Sequence, residues 1–96
     1  MAQVVYSDNA LANLERAFGF LMQEDPAAAV RAAEAIREPV DTLSRHPLIG
    51  RPLEQSLREL VISFGKTGYV ALYRFLPQRD EIRVLAFRHQ RELDYL

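Results

Sequence analysis

The sequence has 96 residues, of which 49% are hydrophobic and 26% charged, and its formal net charge at pH 7 is −1. A chain of this length holds one hydrophobic core, so we expect a single globular domain over residues 1–96. The near-neutral charge argues against a general polyanion binder, and the absence of cysteine excludes disulfides and thiolate metal sites.

The first third of the chain predicts a short strand followed by a helix. Gln3–Tyr6 is a brief β-type run, and Ser7 or Asp8 can cap a helix because either side chain accepts from free backbone N–H groups. Apolar residues then recur at steps of three and four, the period of one helix face: Leu11, Leu14, Phe18 and Leu21. Asp25 and Pro26 end this helix and can start the next, with Asp as cap and Pro at the first helical position.

A second apolar series predicts another helix, antiparallel to the first: Ala29, Ala33, Ile36, Val40 and Leu43. Pro39 lies inside this series, and because the pattern continues on both sides of it we expect a kink rather than an end. The segment 46–52, with two prolines and a glycine, is the clearest linker.

From residue 57 onward the apolar period changes to two, which predicts strands over Leu57–Phe64, Tyr69–Leu76 and Ile82–Phe87. Residues 65–68 (Gly-Lys-Thr-Gly) form a tight hairpin connection between the first two strands, and residues 77–80 join the last two. The order β-α-α-β-β-β predicts an α+β fold, with an N-terminal helix hairpin packed on a small antiparallel sheet.

Standard catalytic spacings are absent from the sequence. No Gly-rich phosphate loop or nucleophile elbow is present, and His46 and His89 are far apart with no third metal ligand at useful spacing. We therefore expect no metal and no cofactor. Metal-free RNA cleavage needs a base, an acid and cations around a phosphate. His89 is the obvious base candidate, and arginines supply the cations: Arg58, Arg74, Arg83, Arg88 and Arg91.

Charge is distributed unevenly along the chain. Residues 1–50 contain four Arg and seven Asp or Glu, for a net −3, whereas residues 51–96 contain eight Arg or Lys and six Asp or Glu, for a net +2. Arginine keeps its charge when partly buried and binds carboxylates through two parallel hydrogen bonds. The basic half therefore indicates one specific acidic partner surface, with ordinary solvated charge as the alternative.

Five segments in order resemble the ParE/RelE toxins of bacterial type II toxin–antitoxin systems, a family associated with plasmid stabilisation. The resemblance covers essentially the whole chain, through Tyr6–Leu14, Gly50–Pro52, Arg58–Val61, Gly68–Arg74 and Val84–Glu92. Each motif is weak alone, but the ordered set is specific. The resemblance implies the same fold, two N-terminal helices on an antiparallel sheet.

The resemblance also implies a partner, an antitoxin whose disordered C-terminal segment folds around the toxin and neutralises it. Arg58, Arg74 and Arg83 are the predicted antitoxin-binding residues. The ending Arg88-His89-Gln90-Arg91 is similar to the His-x-Arg ending of ParE-like members, which poison DNA gyrase. Our leading hypothesis is therefore a binding toxin rather than an enzyme, with a target surface made by Arg88, His89, Arg91 and Tyr95.

The rival hypothesis is a RelE-like enzyme that cuts mRNA in the ribosome without a metal. His89 would act as general base or acid, and Arg58 and Arg74 would steady the phosphate. Several RNA-cleaving members place an arginine just before a Leu-Val-Tyr segment, and here Val70 holds the matching position. A third hypothesis is a protein that has lost toxicity and survives as antitoxin partner and co-repressor.

The sequence also bears on the location of the protein and on whether it binds membranes or DNA. The N-terminus lacks the basic start and apolar run of a signal peptide, and no stretch approaches the roughly 18 apolar residues that span a bilayer. We therefore expect a soluble, cytoplasmic protein that does not bind membranes. We also expect no sequence-specific DNA binding by this chain alone.

Overall fold

The computed structural model describes residues 1–64, 67–92, 94 and 95. The strands in this part of the chain are β1 (Gln3–Tyr6), β2 (Arg51–Pro52), β3 (Leu57–Phe64), β4 (Thr67–Leu76) and β5 (Glu81–His89). The α-helices are α1 (Asp8–Glu24) and α2 (Pro26–Thr42), and single 3₁₀ turns span Glu54–Ser56 and Pro77–Arg79. Gly65 and Lys66 of the predicted hairpin connection lie outside the described residues. No helix in these ranges has the length and apolar character needed to cross a membrane.

The two helices begin where their capping residues predict. Ser7 Oγ accepts from the Ala10 N–H at 3.0 Å, and Asp25 Oδ1 accepts from the Ala28 N–H at 3.2 Å. Helix α2 continues through Pro39 to Thr42, so the proline does not end it.

The face that α1 buries is turned slightly from the predicted one. Ala10 and Asn13 are buried, and Leu14 and Phe18 pack against the core as expected. Leu11 instead remains 46% exposed. The difference arises because Asn13 Oδ1 accepts from the Phe87 N–H at 2.9 Å, which draws the Asn13 side of the helix onto β5.

The sheet confirms the predicted α+β class, with the strand order β1-β5-β4-β3-β2. Strands β2 to β5 pair antiparallel, whereas β1 pairs parallel with β5, so the sheet is mixed rather than wholly antiparallel. After β1 the chain leaves the sheet through both helices and returns for the β3–β5 meander, whose last strand runs in the direction of β1. The predicted linker also contributes the short strand β2, which pairs with Arg58 and Glu59.

The two faces of the sheet differ. One face packs on the helices and carries the core, including Leu60, Ile62, Ala71, Tyr73, Ile82, Val84 and Phe87. We call the opposite side the open face; by strand alternation it carries Glu59, Val70, Leu72, Arg74, Arg83, Ala86 and Arg88. Val70 and Ala86 on the open face are each only 3% exposed. Part of the second face is therefore buried as well.

Candidate functional site

The chain makes a tight turn directly after β5. The Glu92 N–H donates to the His89 carbonyl at 2.9 Å, and the His89 N–H donates to Glu92 Oε1 at the same distance. The Arg91 N–H donates to His89 Nδ1 at 3.2 Å. This turn leaves the Arg91 side chain exposed at the end of the sheet.

Arg88 organises the segment that follows this turn. Its Nη1 donates to the Glu92 carbonyl at 2.9 Å, and its guanidinium lies 5.3 Å from the centre of the Tyr95 ring. Its Nη2 lies 3.7 Å from Glu59 Oε2, and 18% of the side chain is exposed. Arg88 is thus a partly buried charge that links β5, β3 and the C-terminal segment.

Glu59 is the shared partner of these groups, and the sequence interpretation missed its role. Its carboxylate accepts from Arg51 Nη2 at 2.5 Å and from the Tyr95 hydroxyl at 2.6 Å. Burial alone would raise the pKa of Glu59, but the hydrogen bonds from Tyr95 and Arg51 and the charges of Arg51 and Arg88 outweigh it, so the pKa lies below its ordinary value. The available signal was the position of Glu59 between two apolar residues of the same strand face, Leu57 and Val61, because a buried carboxylate requires partners.

Tyr95 is the remaining member of this group, which we call the Glu59 cluster (Arg51, Glu59, Arg88 and Tyr95). Burial, the hydrogen bond to Glu59 and the charge of Glu59 together raise the pKa of the Tyr95 hydroxyl far above its ordinary value. Tyr95 therefore stays a hydrogen-bond donor to the carboxylate. The structure thus joins two of the predicted target-binding residues, Arg88 and Tyr95, on the open face.

His89, the third of those residues, lies on the helix side of the sheet. Its ring meets Tyr69 edge-on at 5.6 Å. Both residues line a half-open cavity of about 380 Å³ between α1 and the end of the sheet. Aromatic rings dominate its wall, and α1 contributes Phe20, which is 67% exposed. The predicted target-binding residues therefore surround one end of the sheet rather than a single face.

The three residues of the nuclease hypothesis are not assembled into one site. Arg58 pairs with Tyr73 and His89 with Tyr69, four positions away on β4, which corresponds to about 13 Å along the strand. Arg74 lies on the open face, opposite to both.

The predicted antitoxin-binding residues are likewise divided between the faces. Arg58 Nη1 donates to the carbonyls of Leu48 and Gly50, at 3.0 and 2.8 Å, so its guanidinium secures the linker before β2. Arg74 and Arg83 stand opposite each other on the open face. Those two remain the better candidates for binding a partner's carboxylates.

Across the described ranges, no three His, Asp or Glu residues are grouped closely enough to hold a metal ion. The site therefore consists of arginine, tyrosine and histidine side chains around an apolar cavity and a buried carboxylate.

The sequence matches known toxins over nearly its full length. The family described as "ParE toxin of type II toxin-antitoxin system, parDE" matches residues 4–94. Toxin RelE3 of Caulobacter vibrioides is 35% identical over 92 residues, which cover 96% of this chain and 98% of that protein. Toxin RelE1 of the same organism is 34% identical over 73 residues, covering 76% and 78%. These matches confirm the resemblance that the ordered motifs indicated.

Solved structures confirm the fold. A chain of the chromosomal ParDE system from P. aeruginosa superposes with a TM-score of 0.75 at 24% identity, covering 93% of this chain and 96% of that one. A chain of the E. coli RelBE toxin–antitoxin complex gives a TM-score of 0.59 at 10% identity, covering 96% and 100%. A chain of the RelBE2 complex from Mycobacterium tuberculosis gives 0.54 at 27% identity, covering 93% and 98%.

Proposed function

Because the chain belongs to the ParE/RelE family of type II toxin–antitoxin toxins, we propose that it acts by binding and inhibiting DNA gyrase. The observation that carries this proposal is the separation of His89 from Arg58 and Arg74, by about 13 Å along the strand or by the thickness of the sheet. A general base and its phosphate-binding cations must converge on one reacting group. The arrangement counts against a nuclease centre built from these three residues and in that way favours a binding surface.

The proposed target surface lies at the end of the sheet where β5 stops. Arg91 is exposed at the turn, and Arg88 and His89 stand on either side of it. The cavity beside His89 offers an apolar recess for an anchoring side chain, with Phe20 at its rim. Protein interfaces commonly combine an aromatic anchor site with charged residues around it, and this surface contains both.

The proposed antitoxin contact lies elsewhere, on the open face around Arg74 and Arg83. The solved neighbours from E. coli and M. tuberculosis are toxin–antitoxin complexes, which supports a cognate antitoxin for this chain. Arg74 and Tyr69 are five positions apart on β4, so the two proposed contacts are separated by roughly 16 Å. An antitoxin could therefore bind both regions only with an extended segment, as expected of a chain that folds upon binding.

A gyrase supercoiling and DNA-cleavage assay with purified toxin, with and without antitoxin, tests the proposal. We expect loss of supercoiling with trapped cleaved DNA, reversed by antitoxin. Arg91→Glu should weaken inhibition on the order of tenfold or more because the exposed charge contributes directly to binding. Glu24→Lys, an exposed charge reversal at the end of α1, serves as the control.

The assay also separates the proposal from the nuclease hypothesis. Absence of any effect on gyrase at micromolar toxin would contradict gyrase binding and point to mRNA cleavage. In that case His89→Ala should remove most cleavage, by roughly a factor of 100 or more for a general acid–base residue.

A further inference from the structure

We propose that Glu59 is a positioning residue for the target surface: its carboxylate, buried in the open face, holds the C-terminal segment in its binding conformation through Tyr95 and Arg88. This inference rests on the proposed function, because the proposed function places the target surface at the end of β5 and in the segment that follows. Glu59 itself is 7% exposed, so it acts through its partners and not by touching the target.

Three different elements converge on this one carboxylate. Arg51 comes from the edge strand β2, Arg88 from β5, and Tyr95 from the C-terminal segment. The two carboxylate oxygens of Glu59 have different partners. Oε1 accepts from Arg51, whereas Oε2 accepts from the Tyr95 hydroxyl and faces Arg88. Removing the carboxylate would therefore release contacts on both sides of β3 together.

Tyr95 depends on this cluster for its position. In the part of the chain that the structure describes, its hydrogen bonds and ring contacts beyond the neighbouring Asp94 go to Glu59 and Arg88. Arg88 in turn donates to the Glu92 carbonyl and so fixes the turn that presents Arg91. The carboxylate thereby controls the geometry of three of the four predicted target-binding residues.

The site does not require a charge for packing alone. Val61 and Leu57 are the neighbouring open-face residues of β3, and the cross-strand partners of Glu59 are Leu72 on β4 and Arg51 on β2. Replacing a whole buried ion pair by apolar residues is often neutral or stabilising, whereas removing Glu59 alone would leave Arg51 and Arg88 without their carboxylate. A retained buried carboxylate that orders a terminal segment is consistent with a positioning role.

The test combines Glu59→Gln, Tyr95→Phe and the double variant in the supercoiling assay. Tyr95→Phe keeps the ring over Arg88 and removes only the hydroxyl donor, so it leaves the folded core intact. Glu81→Gln is the matched control, because Glu81 is another open-face carboxylate bound to an arginine, Arg83. Amide hydrogen exchange of residues 90–95 reports the order of the segment independently of any target.

We expect each single variant to raise the half-inhibitory toxin concentration on the order of tenfold, the effect of one charge-assisted hydrogen bond. The double variant should be no worse than the worse single one, because both remove the same contact, and Glu81→Gln should behave as wild type. Additive losses, or unchanged hydrogen exchange in Glu59→Gln, would overturn the positioning role.

The two proposals can fail separately. If wild-type toxin does not inhibit gyrase, the proposed target is wrong. Faster exchange of residues 90–95 in both single variants, but not in Glu81→Gln, would then still show that Glu59 holds the segment. If wild-type toxin inhibits gyrase and Tyr95→Phe inhibits it equally well, the target stands and the inference about Glu59 is wrong.

Discussion

Arg74 and Arg83 stand directly opposite each other on β4 and β5, so two positive charges share one cross-strand position on the open face. Like charges placed in this way destabilise a sheet. Glu81 Oε2 accepts from Arg83 Nη2 at 2.8 Å. Arg74 Nη2 donates to the Gln55 carbonyl at 3.2 Å, and its buried Nε has no partner among the described residues. The Arg83 side chain is 41% exposed, so the pair can still bind a carboxylate from outside.

Removing one charge of this pair should weaken antitoxin binding without lowering the stability of the folded toxin. We expect Arg74→Gln to raise the antitoxin Kd on the order of tenfold, because a charge-assisted contact is lost. The free energy of unfolding of the isolated toxin should stay within about 0.5 kcal/mol of wild type or increase, since the repulsion is relieved. Calorimetric titration and urea unfolding measure the two quantities. Arg79→Gln, an exposed arginine in the turn before β5, is the control; equal antitoxin affinity in both variants would rule out this contact.

The stability of the toxin should depend on pH through Glu59. The folded-state pKa of Glu59 is lowered from its ordinary value of 4.5, so its contribution is fully present above about pH 4.5 and is lost as the pH falls through the lower, folded-state pKa. Glu59→Gln should therefore reduce the free energy of unfolding at pH 7 by about 1–3 kcal/mol, and this difference from wild type should shrink in acid. Urea unfolding between pH 7 and pH 3 measures it, with exposed Glu54→Gln as control. A difference that is constant with pH would contradict the assignment.

The cavity rim offers a test of the anchoring role of Phe20. We expect Phe20→Ser to weaken gyrase inhibition on the order of tenfold, because an exposed aromatic side chain at the edge of a recess is a typical binding hot spot. Stability should change little, since Phe20 is 67% exposed. Met22→Ser is the matched control: Met22 lies on the same helix, is 53% exposed, and is not among the residues that line the cavity. Loss of antitoxin binding with intact gyrase inhibition would assign the cavity to the antitoxin instead.

Gly50 should not tolerate a side chain. A Cβ atom there would lie 2.6 Å from the Tyr73 hydroxyl oxygen and 2.8 Å from the Glu59 carbonyl oxygen. The Gly50 N–H also donates to the Tyr73 hydroxyl at 2.9 Å. Gly50→Ala should therefore lower the free energy of unfolding by about 1–3 kcal/mol through overpacking. Gly19→Ala is the control: it meets nothing within 4 Å inside α1 and should stabilise by about 0.5–1 kcal/mol. Thermal unfolding measures the stability of both variants, and a Gly50→Ala variant as stable as wild type would contradict the prediction.

The sequence was sufficient to predict both helices and the strands β1 and β3 to β5, because their signals are local, whereas the two-residue strand β2 lay in the predicted linker. Ser7 and Asp25 cap the helices as expected, and the change of apolar period located β3 to β5 within a few residues. The pairing of β1 with β5 could not be predicted in this way, because a four-residue strand carries no information about which distant strand it will join.

The candidate site was predicted less completely, for a related reason. Arg88 and Tyr95 could be singled out from the family-like ending, but the carboxylate that joins them lies in β3, 29 residues before Arg88 and 36 before Tyr95. Strand alternation would place Arg88 and His89 on opposite faces, yet the sequence does not say which face the helices cover. The pairing register of the folded sheet is needed to show that Arg58 and His89 lie on the helix side and Arg74 on the open face.

The position of β1 in the sheet affects how the chain is made. Gln3 to Tyr6 pair with Glu81 to Val84, near the other end of the sequence. Ile82 and Val84, both fully buried, therefore leave the ribosome after the helices and the other strands of this sheet. A translation product that stops before residue 81 lacks an interior strand and leaves both β1 and β4 with an unpaired edge. Such a product could not assemble the sheet, so this fold can form only after β5 has been synthesised.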